Sequence, residues 1–169
     1  MEINPRVSVE MFLSNQNVDL VKNSIDIAFR LGKVTLNDWI SRPLMQTEMV
    51  MVATPEMLGR HPQPKQPSDL AELPLVVLQR SAFWRFQNSD GYAETFTPHA
   101  HMRTDEIRFA LDAVKRGLGA CCVPRYVVEQ DLSSGELIQL LPEWSMESRT
   151  MHMLYPHRDS LPAKTRAFI

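Results

Sequence analysis

Hydrophobic residues near the start of the chain follow a pattern that predicts strand, helix and strand in turn. Residues 7–13 alternate and then become fully apolar, as a half-buried strand entering a core does. Ser14 and Asn15 are good helix N-caps, and apolar residues at helical spacing behind them predict a helix over about residues 16–24. A short apolar run at residues 25–29 completes a β-α-β unit, which calls for a right-handed crossover and a parallel pair.

The middle of the chain predicts shorter elements. Residues 40–54 are typical of one long strand or of two strands meeting near Gln46, and Thr54 and Pro55 favour a one-turn helix directly afterwards. The proline-rich residues 61–67 predict a surface loop, since each proline removes a donor and constrains its predecessor. A short helix over 68–73, a buried strand over 75–78 and a hairpin follow. The hairpin is indicated by two aromatic runs, 83–86 and 92–96, around an Asp-Gly turn.

The second half again alternates strands and helices. A strand over 99–103 leads to a helix capped by Thr104, with Asp105 in its acidic first turn. Three further elements then form a second β-α-β run, a strand at 120–123, a helix at 124–132 and a strand at 137–141. A final strand at 151–155 precedes a helix. The fold class is therefore α/β, with two similar lobes, each a mostly parallel sheet flanked by helices; such sheets bind ligands outside the carboxyl ends of their strands.

Charge and composition narrow the functional classes. The 169 residues include 18 basic and 20 acidic ones, a net charge of -2 with no basic run, which argues against a phosphate-binding surface in this piece. Apolar stretches are too short to span a bilayer, and the N-terminus has no secretory signal, so we expect a cytoplasmic location and no membrane contact. The adjacent Cys121 and Cys122 are interpreted as reduced thiols, either buried strand residues or redox sensors.

Several motifs in register resemble the effector-binding domain of LysR-type transcriptional regulators. They are Leu13 to Leu20, Ser24 to Gly32, Val50 to Leu58, Gly117 to Pro124, Gly135 to Trp144 and Tyr155 to Arg158. The resemblance implies a two-lobed fold like that of the periplasmic binding proteins, with strands crossing at 49–54 and 144–151. Lobe I would hold residues 1–52 and 148–169 without the family's first strand and helix, and lobe II would hold residues 53–147.

The resemblance also implies a function. We expect a small, anionic effector to bind in the cleft between the lobes, and DNA to be bound only by an N-terminal winged helix-turn-helix that is not present in this chain. Family effector domains pair side by side, so a homodimer or homotetramer is expected of the full-length protein. A solute-binding protein of a transport system, with the same two-lobed architecture, is the alternative, and an enzyme on this scaffold is a third hypothesis.

Candidate effector-binding residues lie where strands end. Ser14 and Asn15 occupy a strand-to-helix turn whose backbone N–H groups suit a carboxylate, although plain N-capping explains them equally. Thr104 and Asp105 lie at the equivalent turn of lobe II, where a cap is again the alternative; because Asp105 would repel an anion, Thr104 is the better candidate.

Other candidates carry a charge or an apolar surface. Arg30 follows a buried strand and could pair with an anion through its planar fork, or lie in solvent or in a salt bridge. Phe83 and Trp84 either close the cleft from the hairpin side or pack within the hairpin. By resemblance, Val123 and Pro124 form apolar cleft wall, with core packing as the alternative.

Catalytic and metal chemistry has no clear motif. The histidines show no metal spacing with cysteine or acidic partners, and His99-x-His101 offers two ligands without a third. The Gly-Leu-Gly sequence at 117–119 ends a helix rather than opening one, so it is not a phosphate loop. We expect no enzyme activity, no metal and no cofactor.

Overall fold

The chain divides into two compact units. The computed structural model describes residues 8–14, 18–34, 38–78, 82–157 and 161–169. Unit 1 comprises residues 1–46 with 150–169, and unit 2 comprises residues 47–149. The resemblance implied lobe boundaries after residues 52 and 147; residues 47–52 cluster here with unit 2.

Strands and helices alternate along both units. The strands are β1 (Ala28–Leu31), β2 (Trp39–Thr47), β3 (Met49–Ala53), β4 (Val76–Leu78), β5 (Trp84–Asn88), β6 (Ala93–Phe96), β7 (Met102–Thr104), β8 (Cys121–Pro124), β9 (Ile138–Leu140), β10 (Trp144–Met146) and β11 (Arg149–Pro156). The α-helices are α1 (Pro55–Leu58), α2 (Ile107–Lys115), α3 (Glu129–Ser134) and α4 (Ala163–Phe168), with 3-10 turns at Pro67–Glu72 and Arg125–Val127. Of the two alternatives left open for residues 40–54, the structure has two strands that meet near Gln46, β2 and β3.

The central strands of unit 2 run in one direction except for β3. β3 lies between β8 and β9 and is antiparallel to both. β4 and β7 pair in parallel, and a parallel bridge between Leu75 and Ala120 joins them to β8. The expectation of a mostly parallel sheet therefore holds in unit 2 for the directions of β4, β7, β8 and β9, whereas β3 runs against its two neighbours.

β3 separates two hydrophobic cores. All five of its residues are buried, and successive side chains of a strand point to opposite faces. Met49, Met51 and Ala53 enter one cluster with Trp84 and Phe86 of the hairpin, here called the pocket-side core. Val50 and Val52 enter another cluster with residues of α2, here called the helix-side core.

Two helix starts show how well caps can be predicted. The Oγ1 atom of Thr54 accepts the N–H of Met57 at 3.3 Å and Pro55 begins α1, as predicted. Thr104 was predicted to cap α2, and this is wrong by two residues. The carboxylate of Glu106 takes that role by accepting the N–H of Phe109 at 2.7 Å, which lowers the pKa of Glu106. The hydroxyl of Thr104 accepts the N–H of Glu106 instead, at 3.1 Å.

Unit 1 contains the sheet β1-β11-β2, in which β1 and β11 are antiparallel. The predicted parallel pair with residues 7–13 is wrong within the described residues, because residues 8–14 form no strand and are exposed. The predicted helix over 16–24 is a turn at residues 20–24, and residues 15–17 lie outside the described residues. β1 therefore pairs with β11, the strand that returns from unit 2.

Candidate functional site

A pocket of about 190 Å³ opens within unit 2. The residues that line it are Met49, Ala82, Phe83, Trp84, Arg85, Cys122, Met146, Glu147 and Arg149. The pocket-side core supplies Met49, Trp84 and Cys122, while the rim carries exposed charged side chains. The pocket therefore combines an apolar, sulfur-containing floor with a polar opening.

Strand register explains why these residues meet. In the β3–β8 pair Met51 lies opposite Cys122, so Cys122 and the odd-numbered residues of β3 share a face. Met146 of β10 pairs with Phe86 of β5, which brings the end of β10 to the hairpin. The Sγ atom of Cys122 lies 3.8 Å from the Sδ atom of Met146.

Aromatic side chains form one wall of the pocket. Trp84 is only 4% exposed and stacks on Phe96, with ring centroids 5.8 Å apart. Its Nε1 atom is buried without a hydrogen-bond partner in the described residues, a state that usually carries an energetic cost. Phe83 is half exposed, and the guanidinium of Arg85 lies 5.1 Å from its ring centroid, within the range of a cation–π contact.

The rim has a net positive charge. It carries two positive charges, on Arg85 and Arg149, and one negative charge, on Glu147, and all three side chains are exposed. Arginine presents a planar set of donors that matches a carboxylate bidentately. The rim is therefore suited to an anion.

Burial disfavours the thiolate form of both cysteines. It raises the pKa of Cys121 to about 12. Burial also raises the pKa of Cys122 well above its usual range, against a smaller opposing effect of the Arg149 charge. Oxidation proceeds through the thiolate, so these pKa values disfavour the redox-sensing interpretation. The thiols are free in this structure, as the sequence predicted.

Among the residues predicted to bind effector in the second lobe, Phe83 and Trp84 line the pocket. Thr104 is half buried and Asp105 is exposed, and neither lines it. Val123 is fully buried in the helix-side core, so a ligand would reach it only if that core opened. Pro124 is buried at the end of β8, where it pairs with Met49.

The remaining candidates belong to unit 1. Ser14 is exposed, and Asn15 lies outside the described residues. Arg30 is half buried, and its guanidinium donates to the carbonyl oxygen of Val18 at 2.7 Å. That bond holds the side chain against its own unit and uses one of the five N–H groups that a guanidinium carries.

Sequence reasoning missed seven residues that line the pocket with Phe83 and Trp84. Six of them carry its charge or its sulfur: Arg85, Glu147, Arg149, Met49, Cys122 and Met146. The strand at residues 120–123 was predicted from the sequence, and these residues are all buried. The pairing of β10 with β5, which connects residues 58 positions apart, was not.

A second, mostly apolar groove runs beside α2. It is lined by Met102, Phe109, Asp112, Ala113, Arg116 and Leu118. Phe109 is 57% exposed and Leu118 is 51% exposed. These two side chains add exposed apolar area to the groove.

The described residues contain no group of three or more His, Cys, Asp and Glu side chains that could hold a metal ion. They also contain no helix that is long and apolar enough to cross a membrane.

Two α/β units, one with a small pocket, define this chain as a ligand-binding module. The whole chain, residues 1–169, matches the family described as LysR substrate binding domain. The chain belongs to this family, the effector-binding domains of LysR-type transcriptional regulators, and has its two-lobed α/β fold, which is like that of the periplasmic binding proteins.

Individual relatives agree with the family. The transcriptional regulator PtxR of Pseudomonas aeruginosa is 31% identical, over 98% of this chain and 54% of its own length. The probable regulator LtrA of Klebsiella pneumoniae is 29% identical, over 98% and 55%. The full-length structure of AphB, a virulence activator of Vibrio cholerae, superposes with a TM-score of 0.88 at 30% identity, over 99% of this chain and 58% of that one. The chain thus spans about half the length of the regulators it matches.

Proposed function

We propose that a small anionic molecule binds this domain at the pocket of unit 2 and that its binding regulates transcription by the whole protein. One observation carries the proposal: the aromatic residues Phe83 and Trp84 and the arginine Arg149 line the same pocket. Its volume of about 190 Å³ is below the 300–1,000 Å³ or so that is usual for drug-sized ligands. A small metabolite fits it better than a large cofactor.

The rim explains why the ligand should be an anion. A carboxylate next to Arg85 and Arg149 would gain charge-assisted hydrogen bonds, whereas a cation would meet two like charges and the one carboxylate of Glu147. The apolar part of the ligand would then contact Phe83 and the thioether of Met49.

The rival functional classes have less support. The relatives named above are transcriptional regulators, which favours a regulator over a transport protein. The described residues contain a serine–histidine contact, Ser41 Oγ to His152 Nδ1 at 3.0 Å. It joins neighbouring strands β2 and β11, and no described carboxylate orients the imidazole, so it lacks the third member of a catalytic triad. We assign no catalysis to this domain.

The whole protein would act in the cytoplasm as a homo-oligomer that binds DNA through a part outside this chain. The groove beside α2 is the surface we propose for pairing. Phe109 and Leu118 offer apolar area for a second copy to cover. Asp112 and Arg116 give the groove one charge of each sign, so a two-fold axis could place Asp112 of one copy against Arg116 of the other. Sedimentation tests this: Phe109→Glu should give monomers where the unaltered chain gives dimers, and monomers for both would refute the pairing.

Thermal unfolding with a panel of small carboxylic acids tests effector binding. A ligand at about 100 times its Kd stabilises the folded state by about 2.7 kcal/mol. Arg149→Gln should abolish that stabilisation, while Arg60→Gln, at an exposed arginine outside the pocket, should retain it. Failure of every acid to stabilise the chain, or equal stabilisation of both variants, would count against the proposal.

A further inference from the structure

Glu147 is a carboxylate in a pocket that is otherwise suited to an anion. It lines the pocket together with Arg149, whereas Ser148 between them does not. Among the described residues the side chains of Glu147 and Arg149 form no ion pair and no hydrogen bond, either with each other or with another residue. The lining therefore presents an unpaired acceptor next to an unpaired cation.

Arg85, the third charged residue of the lining, already has a partner. Its guanidinium lies 5.1 Å from the ring centroid of Phe83, whose negative face attracts a cation. Arg149 has neither an aromatic nor an acidic partner in the described part of the chain. Arg149 is therefore the cation that a bound carboxylate neutralises first, and Glu147 remains as an acceptor beside it.

We propose that the ligand is a small 2-hydroxy carboxylate with an apolar side chain, an inference that rests on the proposed function of this pocket. Its carboxylate pairs with Arg149, and its hydroxyl group donates a hydrogen bond to the carboxylate of Glu147. Its side chain lies on the floor, since six of the nine lining residues are apolar or contain sulfur. Each group of the ligand then has a counterpart in the lining.

The two charges are close enough for one small molecule to reach both. Glu147 and Arg149 are two residues apart, so their Cα atoms lie within about 7 Å of each other. In a 2-hydroxy carboxylate the hydroxyl and carboxylate groups are adjacent, on two bonded carbon atoms. Two long, exposed side chains at the rim can therefore contact these adjacent groups together.

Charge decides between a hydroxyl and an ammonium group as the donor. The charged lining residues sum to one net positive charge, from two arginines and one glutamate. A 2-hydroxy carboxylate has one negative charge and balances that sum, whereas an amino acid is neutral overall and leaves it in place. An ammonium group would also approach Arg85 and Arg149, whose charges repel it. A hydroxyl group supplies the donor without this repulsion.

Matched pairs of acids test the assignment by calorimetric titration of the full chain. Lactate is compared with propanoate, and 2-hydroxy-4-methylpentanoate with 4-methylpentanoate, because the members of each pair differ only in the hydroxyl group. We expect the hydroxy acid of a pair to bind about tenfold more tightly, the lower end for a hydrogen bond to a charged group. The longer pair should bind more tightly than the shorter one because it buries more apolar surface. Free leucine, with an ammonium group in place of the hydroxyl, should bind more weakly than 2-hydroxy-4-methylpentanoate.

Two glutamate variants assign the preference to its residue. Glu147→Ala should bind the hydroxy acid no more tightly than the plain acid, and it should bind the plain acid at least as well as the parent does, because a negative charge beside the anion is gone. Glu143→Ala is the matched control, since Glu143 is an exposed glutamate that does not line the pocket, and it should keep the tenfold preference. Both glutamates are exposed, so both variants are expected to fold.

The outcomes separate this inference from the proposed function. Equal binding of hydroxy and plain acids by the parent chain, or a preference that survives in Glu147→Ala, overturns the 2-hydroxy assignment and leaves the anion site in place. Tighter binding of leucine than of 2-hydroxy-4-methylpentanoate overturns the choice of a hydroxyl group. Binding of none of the acids overturns both proposals.

Discussion

Met51 of β3 lies directly opposite Cys122 of β8, and this pairing assigns the two adjacent cysteines to different cores. Cys122 packs with Met51 in the pocket-side core, and Cys121 packs with Val52 in the helix-side core. A one-residue shift of β8 would exchange the cysteines, because side chains alternate along a strand. The identity of the thiol at the pocket is thus a consequence of register.

Cys121 should make the domain sensitive to alkaline pH. Its pKa is about 9.0 in the unfolded chain and about 12 in the folded one, so above pH 9 the unfolded state loses its proton first. Stability from this thiol is complete below pH 9 and falls by about 1.4 kcal/mol per pH unit between pH 9 and 12. Urea denaturation at pH 8, 10 and 11 measures the slope. Cys121→Ala should make it shallower by that amount, and an unchanged slope would contradict the prediction.

Gly119→Ala should destabilise unit 2 strongly. A Cβ atom at Gly119 would lie 2.5 Å from the carbonyl oxygen of Pro74, which also accepts the N–H of Ala120 at 2.9 Å. Relief of that overlap must move the bridge between β4 and β8, at an expected cost of about 2 kcal/mol or more.

Gly59→Ala is the control for this change. Gly59 has a right-handed helical conformation, with φ of -61°, and an added Cβ would find its nearest atom at 3.5 Å. We expect this variant to equal or exceed the parent in stability by up to about 1 kcal/mol. Chemical denaturation compares the two, and equal losses for both would refute the steric argument.

Lys115→Met should cost about 1–2 kcal/mol. The Nζ atom of Lys115 lies 2.6 Å from Asp131 and 3.3 Å from Glu136, and the Asp131 carboxylate raises the pKa of the lysine. The Asp131 side chain is 15% exposed and would lose its partner at 2.6 Å. Arg60→Met removes an exposed pair with Glu56 at 3.7 Å and should change stability by less than about 0.5 kcal/mol. Similar urea midpoints for the two variants would show that the Lys115 network adds no stability.

Asn88→Ala should loosen the hairpin. The Oδ1 atom of Asn88 accepts the N–H groups of Asp90 at 3.1 Å and Tyr92 at 2.9 Å, which shapes the turn between β5 and β6. Removal of the acceptor should cost about 1–2 kcal/mol, whereas Asn88→Asp keeps it and should cost less. Amide exchange of Tyr92 reports the change directly; equal protection in both variants would rule out this role for the side chain.

Local signals in the sequence predicted local structure well. Thr54 and Pro55 begin α1 as predicted, and the Asn88–Gly91 turn joins β5 and β6. The cap of α2 was misplaced because Asp105 and Glu106 both follow Thr104, and the longer side chain of Glu106 reaches the N–H of Phe109. Several adjacent cap formers cannot be ranked from sequence alone.

Long-range pairing was harder to predict. Residues 7–13 have the alternating pattern of a strand. Residues 8–14 nevertheless pair with no other strand among the described residues. A strand requires hydrogen bonds to a neighbouring strand, and a hydrophobic pattern alone does not supply them. Phe83 and Trp84 were identified from their own residue types. Arg149 was not, because its place at the pocket depends on where the chain leaves unit 2, far along the sequence from Phe83.

Because side chains alternate along β3, neighbouring positions of this strand belong to different cores. A change at residue 49 alters what a ligand would meet and a change at residue 51 alters the core beside it, whereas a change at residue 50 or 52 alters how α2 is seated. Related domains could therefore acquire new ligand preferences by exchanging every second residue of one short strand while the support for the helix stays the same.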